Sequence, residues 1–271
     1  MTSLAGGGAS KFSRLRGGLR IGSGYFASRG LLGPSAPPPK GLVDTMADLG
    51  NPRVDVARVH PDVARFFVDT ASLELRIVSH WRFPFSLAWY LFRPLLAWIG
   101  QLVLPLREAR ILTQVTALDR ARDGRANARA VIREYADTGR VMQVVAYATS
   151  TEGETRFMNA AFPLPGGHLT GILRLDVVGE GEDGLLAVGV SSRARERDGA
   201  GIWYVIGGVA IPVPFEERLD LWAPSMTCAP ITTRAGDFPG TIIVGRHEQR
   251  LLGLRLVTHE YWFRPRAPGA S

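Results

Sequence analysis

The sequence predicts an α+β protein that is mainly antiparallel β: a strongly curved sheet, or an open barrel or sandwich, with one broken apolar helix packed on it. Three observations carry that prediction. Glycine-containing pairs, among them Asp123-Gly124, Thr138-Gly139, Glu152-Gly153, Gly166-Gly167, Asp183-Gly184 and Asp198-Gly199, separate short runs rich in Val, Ile, Leu and Tyr. Glycine supplies the positive φ that tight hairpin turns require. The runs also alternate: Leu73, Leu75 and Ile77 share one face while Glu74 and Arg76 take the other, and Leu169, Leu173, Leu175 and Val177 oppose Thr170, Arg174 and Asp176. A period of two with one polar face marks half-buried strands. Finally, Phe85 to Leu106 is an apolar run whose only charge is Arg93.

Taken in order, residues 1–45 read as a disordered basic tail. They are rich in Gly, Ser, Ala and Arg and hold six basic residues against Asp44 alone, a net of +5 that leaves +2 for residues 46–271. That composition fits a transit peptide, or an arm ahead of a natural start at Met46, and no secretory signal. Residues 46–271 read as one mainly-β domain. Pro61 to Val68 forms a short helix with proline in its first turn, where the missing N–H costs nothing. Strands are expected near 73–79, 109–118, 127–135, 140–149, 154–161, 169–178, 185–193, 201–206, 217–222, 229–234, 240–249 and 254–263, the spacing of a curved antiparallel sheet. The apolar helical segment 85–106 breaks at Pro94, because proline removes a helical hydrogen bond.

With the body close to neutral, no broad electrostatic footprint for nucleic acid exists. Cys228 is the only cysteine, so an internal disulfide and a thiolate metal cluster are both excluded. The expected location is cytoplasmic or peripheral to a membrane. No Gly-x-Ser-x-Gly elbow, phosphate loop or strand-linked Gly-x-Gly-x-x-Gly occurs, and neither a cofactor nor a metal is expected.

The aromatic cluster is the strongest functional signal. Trp81, Trp89, Tyr90, Phe92 and Trp98 lie close together with Arg93 among them, and such amphipathic rings favour membrane interfaces and pocket mouths. They are the candidate contacts with a ligand or a membrane. The segment can serve as a lid on the core, as an interfacial or pocket-lining helix, or as a span; Arg93 and Pro94 oppose the last. A weaker candidate set is His247 and His259, each followed by a glutamate, Glu248 and Glu260, on the terminal hairpin. If the register puts both imidazoles on one face they can bind zinc or act as acid and base, the more frequent case being a pair of partly buried, hydrogen-bonded imidazoles, whereas a slip of one residue separates them. Glu134, Asp137, Glu152 and Glu154 cluster at turns and are expected to face water.

The run His60-Pro61-Asp62-Val63-Ala64-Arg65-Phe66-Phe67, the apolar helix ending at Leu102-Val103-Leu104-Pro105, the step from Trp203-Tyr204 to Pro212-Val213-Pro214 and the closing His247 to Phe263 hairpin with Gly253 resemble the uncharacterised domain of bacterial YndJ-like proteins. The resemblance spans about residues 50–264. It implies a fold and brings no catalytic residues with it. The function expected is non-enzymatic binding of a hydrophobic, lipid-like ligand or of a membrane surface. The alternatives are an enzyme acting on a lipid-like substrate through the His/Glu set, and a structural accessory module of a redox enzyme.

Overall fold

The computed structural model describes residues 2–3, 11–193, 199–230 and 238–267. Its strands are β1 (Thr2–Ser3), β2 (Leu73–Trp81), β3 (Glu108–Ala117), β4 (Arg129–Tyr135), β5 (Val141–Glu152), β6 (Thr155–Leu164), β7 (Gly167–Glu180), β8 (Leu186–Ser191), β9 (Gly201–Ile206), β10 (Val209–Pro212), β11 (Phe215–Trp222), β12 (Ile243–Leu251) and β13 (Leu254–Pro265). The helices are α1 (Tyr25–Ser28), α2 (Pro61–Val68), α3 (Phe85–Ile99) and α4 (Arg120–Asp123). The expected strand at 229–234 is not formed at its first two residues, and its remainder lies outside the described residues.

Every strand pairing is antiparallel, and the sheet closes into a ten-stranded barrel in the order β7-β6-β5-β4-β3-β2-β13-β12-β11-β8, with β8 returning to β7. The expectation of an open barrel or sandwich is therefore corrected. Closure depends on the length of β7. Its second half, from Arg174, pairs with β8, while His168 to Ile172 pair with β9, so that β9 and β10 leave the barrel as a flange. A register shift between Val177 and Gly179 bends the forked strand, as bulges do.

Inside the barrel the expected alternation holds for β2 and, in β7, at Leu173 and Leu175, whereas Val177 beside the register shift is 41% exposed and Thr170 and Arg174 of the expected polar face are buried. Leu73, Leu75, Ile77, Val131, Val145, Leu175 and Val188 join one buried cluster. One end is plugged by α2, whose Phe66 packs edge-on against Phe263 at 5.2 Å between ring centroids. Because α2 precedes β2 and α3 follows it, the two helices lie at opposite ends of that strand. The loop after α3 covers the second end: Gln101 donates to the carbonyls of Val144 and Pro163, and Val103 N–H donates to Met142.

Two further expectations change. Residues 11–45 are not a disordered tail: the first part is a strap over the outer faces of β4, β5 and β6, where Leu15, Ile21, Tyr25 and Phe26 bury themselves against Ala130, Val144, Ala146 and Ala161, and Leu42 and Val43 then join the interior cluster beside α2. Small outward side chains on those strands let the strap approach closely. Gly17 is obligatory there, since a Cβ would sit 1.8 Å from the Leu164 carbonyl oxygen. The apolar helix is also unbroken and runs through Pro94. The carbonyl that loses its partner belongs to Tyr90, a solvent-exposed residue, so water can take the place of the missing N–H.

Candidate functional site

Two features stand out from a filled barrel, one outside and one inside. Outside, α3 lies on the barrel with an inverted polarity. The stripe toward the barrel contains Phe85, Trp89, Arg93, Leu96 and Ala97, all part-buried, and Trp89 stacks on Trp81 at 4.6 Å. The opposite face carries Leu87, Tyr90, Leu91, Leu95 and Trp98, which are 50% to 66% exposed, with Phe92 beside them and Phe83 just ahead at 83%. The helix's single charge thus points inward and its apolar side chains point outward. Arg20 lies over the Trp98 ring at 5.2 Å from its centroid, extending the strap to the edge of this face. From Trp81 to Arg107 the chain holds three arginines and no acid. An open groove of about 810 Å³ runs beside the helix, lined by Arg93, Arg107 and Arg140 along with Glu108, Asp137 and Tyr135. No helix among the described residues is long and apolar enough to cross a membrane.

Of the expected contact residues, Tyr90, Phe92 and Trp98 are therefore exposed, while Trp81, Trp89 and Arg93 face the barrel. Trp81 Nε1 donates to the Pro105 carbonyl and its ring meets His259 edge-on, so this residue joins α3 to the interior rather than to solvent.

Inside, His247 and His259 are direct partners on β12 and β13 with ring centroids 5.8 Å apart. The register shift at Gln249/Arg250 lies beyond them, toward the hairpin turn, and leaves both on the inward face. Glu248 and Glu260 do not join them. Adjacent strand residues point to opposite faces, so Glu248 pairs with Arg250 and Arg255, and Glu260 with His80, on the outer wall. Their place is taken by Glu217 of β11. Its Oε2 lies 3.5 Å from His247 Nε2, and the Tyr261 hydroxyl is 2.9 Å from His247 Nδ1. If Nε2 carries the imidazole proton, Nδ1 accepts from Tyr261 and Glu217 faces the Nε2–H edge. Burial pushes the Tyr261 phenol well up, opposed by Arg133 and assisted by Glu217, so the hydroxyl stays a neutral donor.

His259 is fully buried, with Nδ1 2.8 Å from Ser79 Oγ and Nε2 without a partner among the described residues. Burial, then the neighbouring His247 and His80, hold its pKa well below the ordinary histidine value; it is a neutral imidazole. A cavity of about 80 Å³ lies next to this cluster and is lined by Arg133, Gln143, Tyr147, Glu217, His247, Gln249 and Tyr261 among apolar side chains that include Leu102 and Leu104 of the covering loop. Among the described residues no group of three or more His, Cys, Asp or Glu could hold a metal ion. The carboxylates at the turns behave as expected: Glu134 accepts from Gln114 on the surface, and Asp137, Glu152 and Glu154 are exposed.

Sequence reasoning missed Glu217 and Arg133. Each occupies the inward phase of an alternating strand, Phe215-x-Glu217-x-Leu219-x-Leu221 and Val131-x-Arg133-x-Tyr135, and a charge in the apolar phase was the available signal. No protein-family model, curated protein or solved structure matches the chain.

Proposed function

We propose that this barrel is a non-enzymatic binding protein that works on a membrane surface, resting on anionic lipid through the outer face of α3. The observation that carries the reading is the inversion of the helix, with Arg93 turned inward and a continuous row of large apolar side chains from Phe83 to Trp98 turned out. A patch of this kind on a monomer's surface marks an interaction site, and an amphipathic helix lying in the interface buries one such face among lipid headgroups. The absence of acids from Trp81 to Arg107 suits a negatively charged leaflet, which attracts basic segments at about 1 kcal/mol per Lys or Arg near the surface. Membership of the YndJ-like family belongs to the same reading and would leave it unchanged.

Co-sedimentation with vesicles of phosphatidylcholine and phosphatidylserine tests it. Leu91 and Leu95 are both more than half exposed, so L91D/L95D should leave the circular dichroism spectrum intact. Losing two part-buried leucines from the lipid costs on the order of 3 kcal/mol, or about 100-fold in partitioning. Wild-type protein that stays in the supernatant at every lipid composition would refute the proposal. A second reading, an enzyme acting on a lipid-like substrate, draws on His247 as base with Glu217 in the role expected of Glu248 and Glu260; turnover of an ester or acid lost in H247Q would favour it.

A further inference from the structure

We infer that the barrel interior contains a binding site for a carboxylate, with Arg133 as its anchor. Such a site stands independently of contact between α3 and a membrane. Arg133 projects from β4 at a register shift between Arg133 and Glu134, which re-aims the strand. It is 8% exposed and lines the interior cavity. Among the described residues no carboxylate lies within salt-bridge distance of it, and its Nε has no hydrogen-bond partner. The nearest acid in the chamber, Glu217, is engaged with His247.

A guanidinium cannot escape this position by losing its proton, and an unpaired charge out of water is costly unless something compensates it. Every other buried arginine of known partnership here is compensated: Arg125 by Asp123, Arg129 by Asp44 and Arg174 by Asp176. Arg133 differs from these in facing a cavity. A planar fork of N–H donors matches a carboxylate bidentately, and Gln143, directly across the strand pair, offers an amide beside it. About 80 Å³ accommodates a carboxylate with one or two carbons, since a water takes about 30 Å³ of liquid volume. The apolar remainder of the lining, with Leu102 and Leu104 at the covered end, suits an alkyl group attached to it. Two sources share this chemistry: a free short acid, or the head of a longer acyl chain whose tail displaces the 100–106 loop.

Calorimetric titration of the full chain with acetate, butyrate, octanoate and dodecanoate, and with octanol as the uncharged control, distinguishes them. Saturable binding of acetate or butyrate without gain at greater length identifies a short acid; affinity that rises with chain length identifies an acyl chain. In both cases octanol should bind weakly, and R133M should reduce carboxylate affinity about 10- to 100-fold. Without ligand, R133M should melt no lower than wild type, because methionine fills similar space without a buried charge. Failure of every carboxylate to bind wild type, or octanol binding as well as the best-bound carboxylate, overturns the site. So does an R133M protein that folds and binds as wild type does. Should R133M not fold, the wild-type preference for the best-bound carboxylate over octanol decides the question alone.

Discussion

Acidification from about pH 7.5 to about pH 5 should weaken the attachment of the N-terminal strap through one histidine. His168 on β7 is 2% exposed and places Nδ1 3.0 Å from the Leu15 carbonyl oxygen, to which it donates. Its Nε2 has no partner among the described residues. Burial, the largest influence, lowers its pKa from 6.5 to about 4; the bond to Leu15 opposes that, Arg125 lowers it further and Asp123 raises it. Between those two values the unfolded chain binds the proton more readily than the folded one. Stability from this group is therefore complete above about pH 6.5 and is lost as the pH falls toward about 4. The full gap corresponds to about 3 kcal/mol, of which about 2 kcal/mol is gone by pH 5. His259, also held neutral by burial, adds loss of the same sign, so the histidines are separated by substitution. In H168Q the amide keeps a donor for Leu15 and removes the titration. Urea unfolding at both pH values should show wild type losing about 2 kcal/mol more than H168Q. Equal losses in the two proteins would refute the reasoning.

Asp123 and Arg125 form an ion pair with side chains 1% and 0% exposed, and Ser13 of the strap donates to Asp123. Burial pushes the Asp123 carboxyl up, but Arg125 and the bonds from Arg125 and Ser13 outweigh it and its pKa is lowered from 3.8; its contribution is present above that value and fails only in stronger acid. D123A strands a buried guanidinium and should cost about 3 to 5 kcal/mol by chemical denaturation. G17A forces a methyl into the Leu164 carbonyl and should cost about 1 to 3 kcal/mol, with limited proteolysis releasing the strap before the barrel unfolds.

Local features of this chain were legible because they are written in short periods. The alternation of β2, the helix at Pro61–Val68 and the terminal hairpin all follow from neighbours within ten residues, whereas in β7 the fork that pairs with both β8 and β9 buries Thr170 and Arg174 of the expected polar face. The strap was not legible. Phe12, Leu15, Ile21, Tyr25 and Phe26 are anchors without a period, set among Gly, Ser and Arg, and an extended segment pressed on a sheet of alanines needs no amphipathic repeat. Barrel closure was equally hidden, since it depends on β8 bonding to β7 on one side and to β11, over twenty residues later, on the other. For the interior cluster, the shared face of His247 and His259 was conditional on register, and Glu217 could be placed beside them only by that same closure.

The strap, the helix and the interior are mechanically one system. Ile21 and Gly22 donate backbone hydrogen bonds to Ile99 and Gly100 at the end of α3, so the strap holds the helix by its C-terminal end. From the helix, Trp89 stacks on Trp81, Trp81 meets His259, and His259 lies against His247 and Tyr261. The loop that follows the helix supplies Leu102 and Leu104 to the cavity wall. Lipid that takes up the outer face of α3 and shifts the helix must move Trp89, the covering loop or both. Contact with a membrane and access to Arg133 would then be coupled in free energy, and linkage makes that coupling reciprocal: a carboxylate that opens the loop should strengthen vesicle binding by the same factor by which vesicles strengthen carboxylate binding.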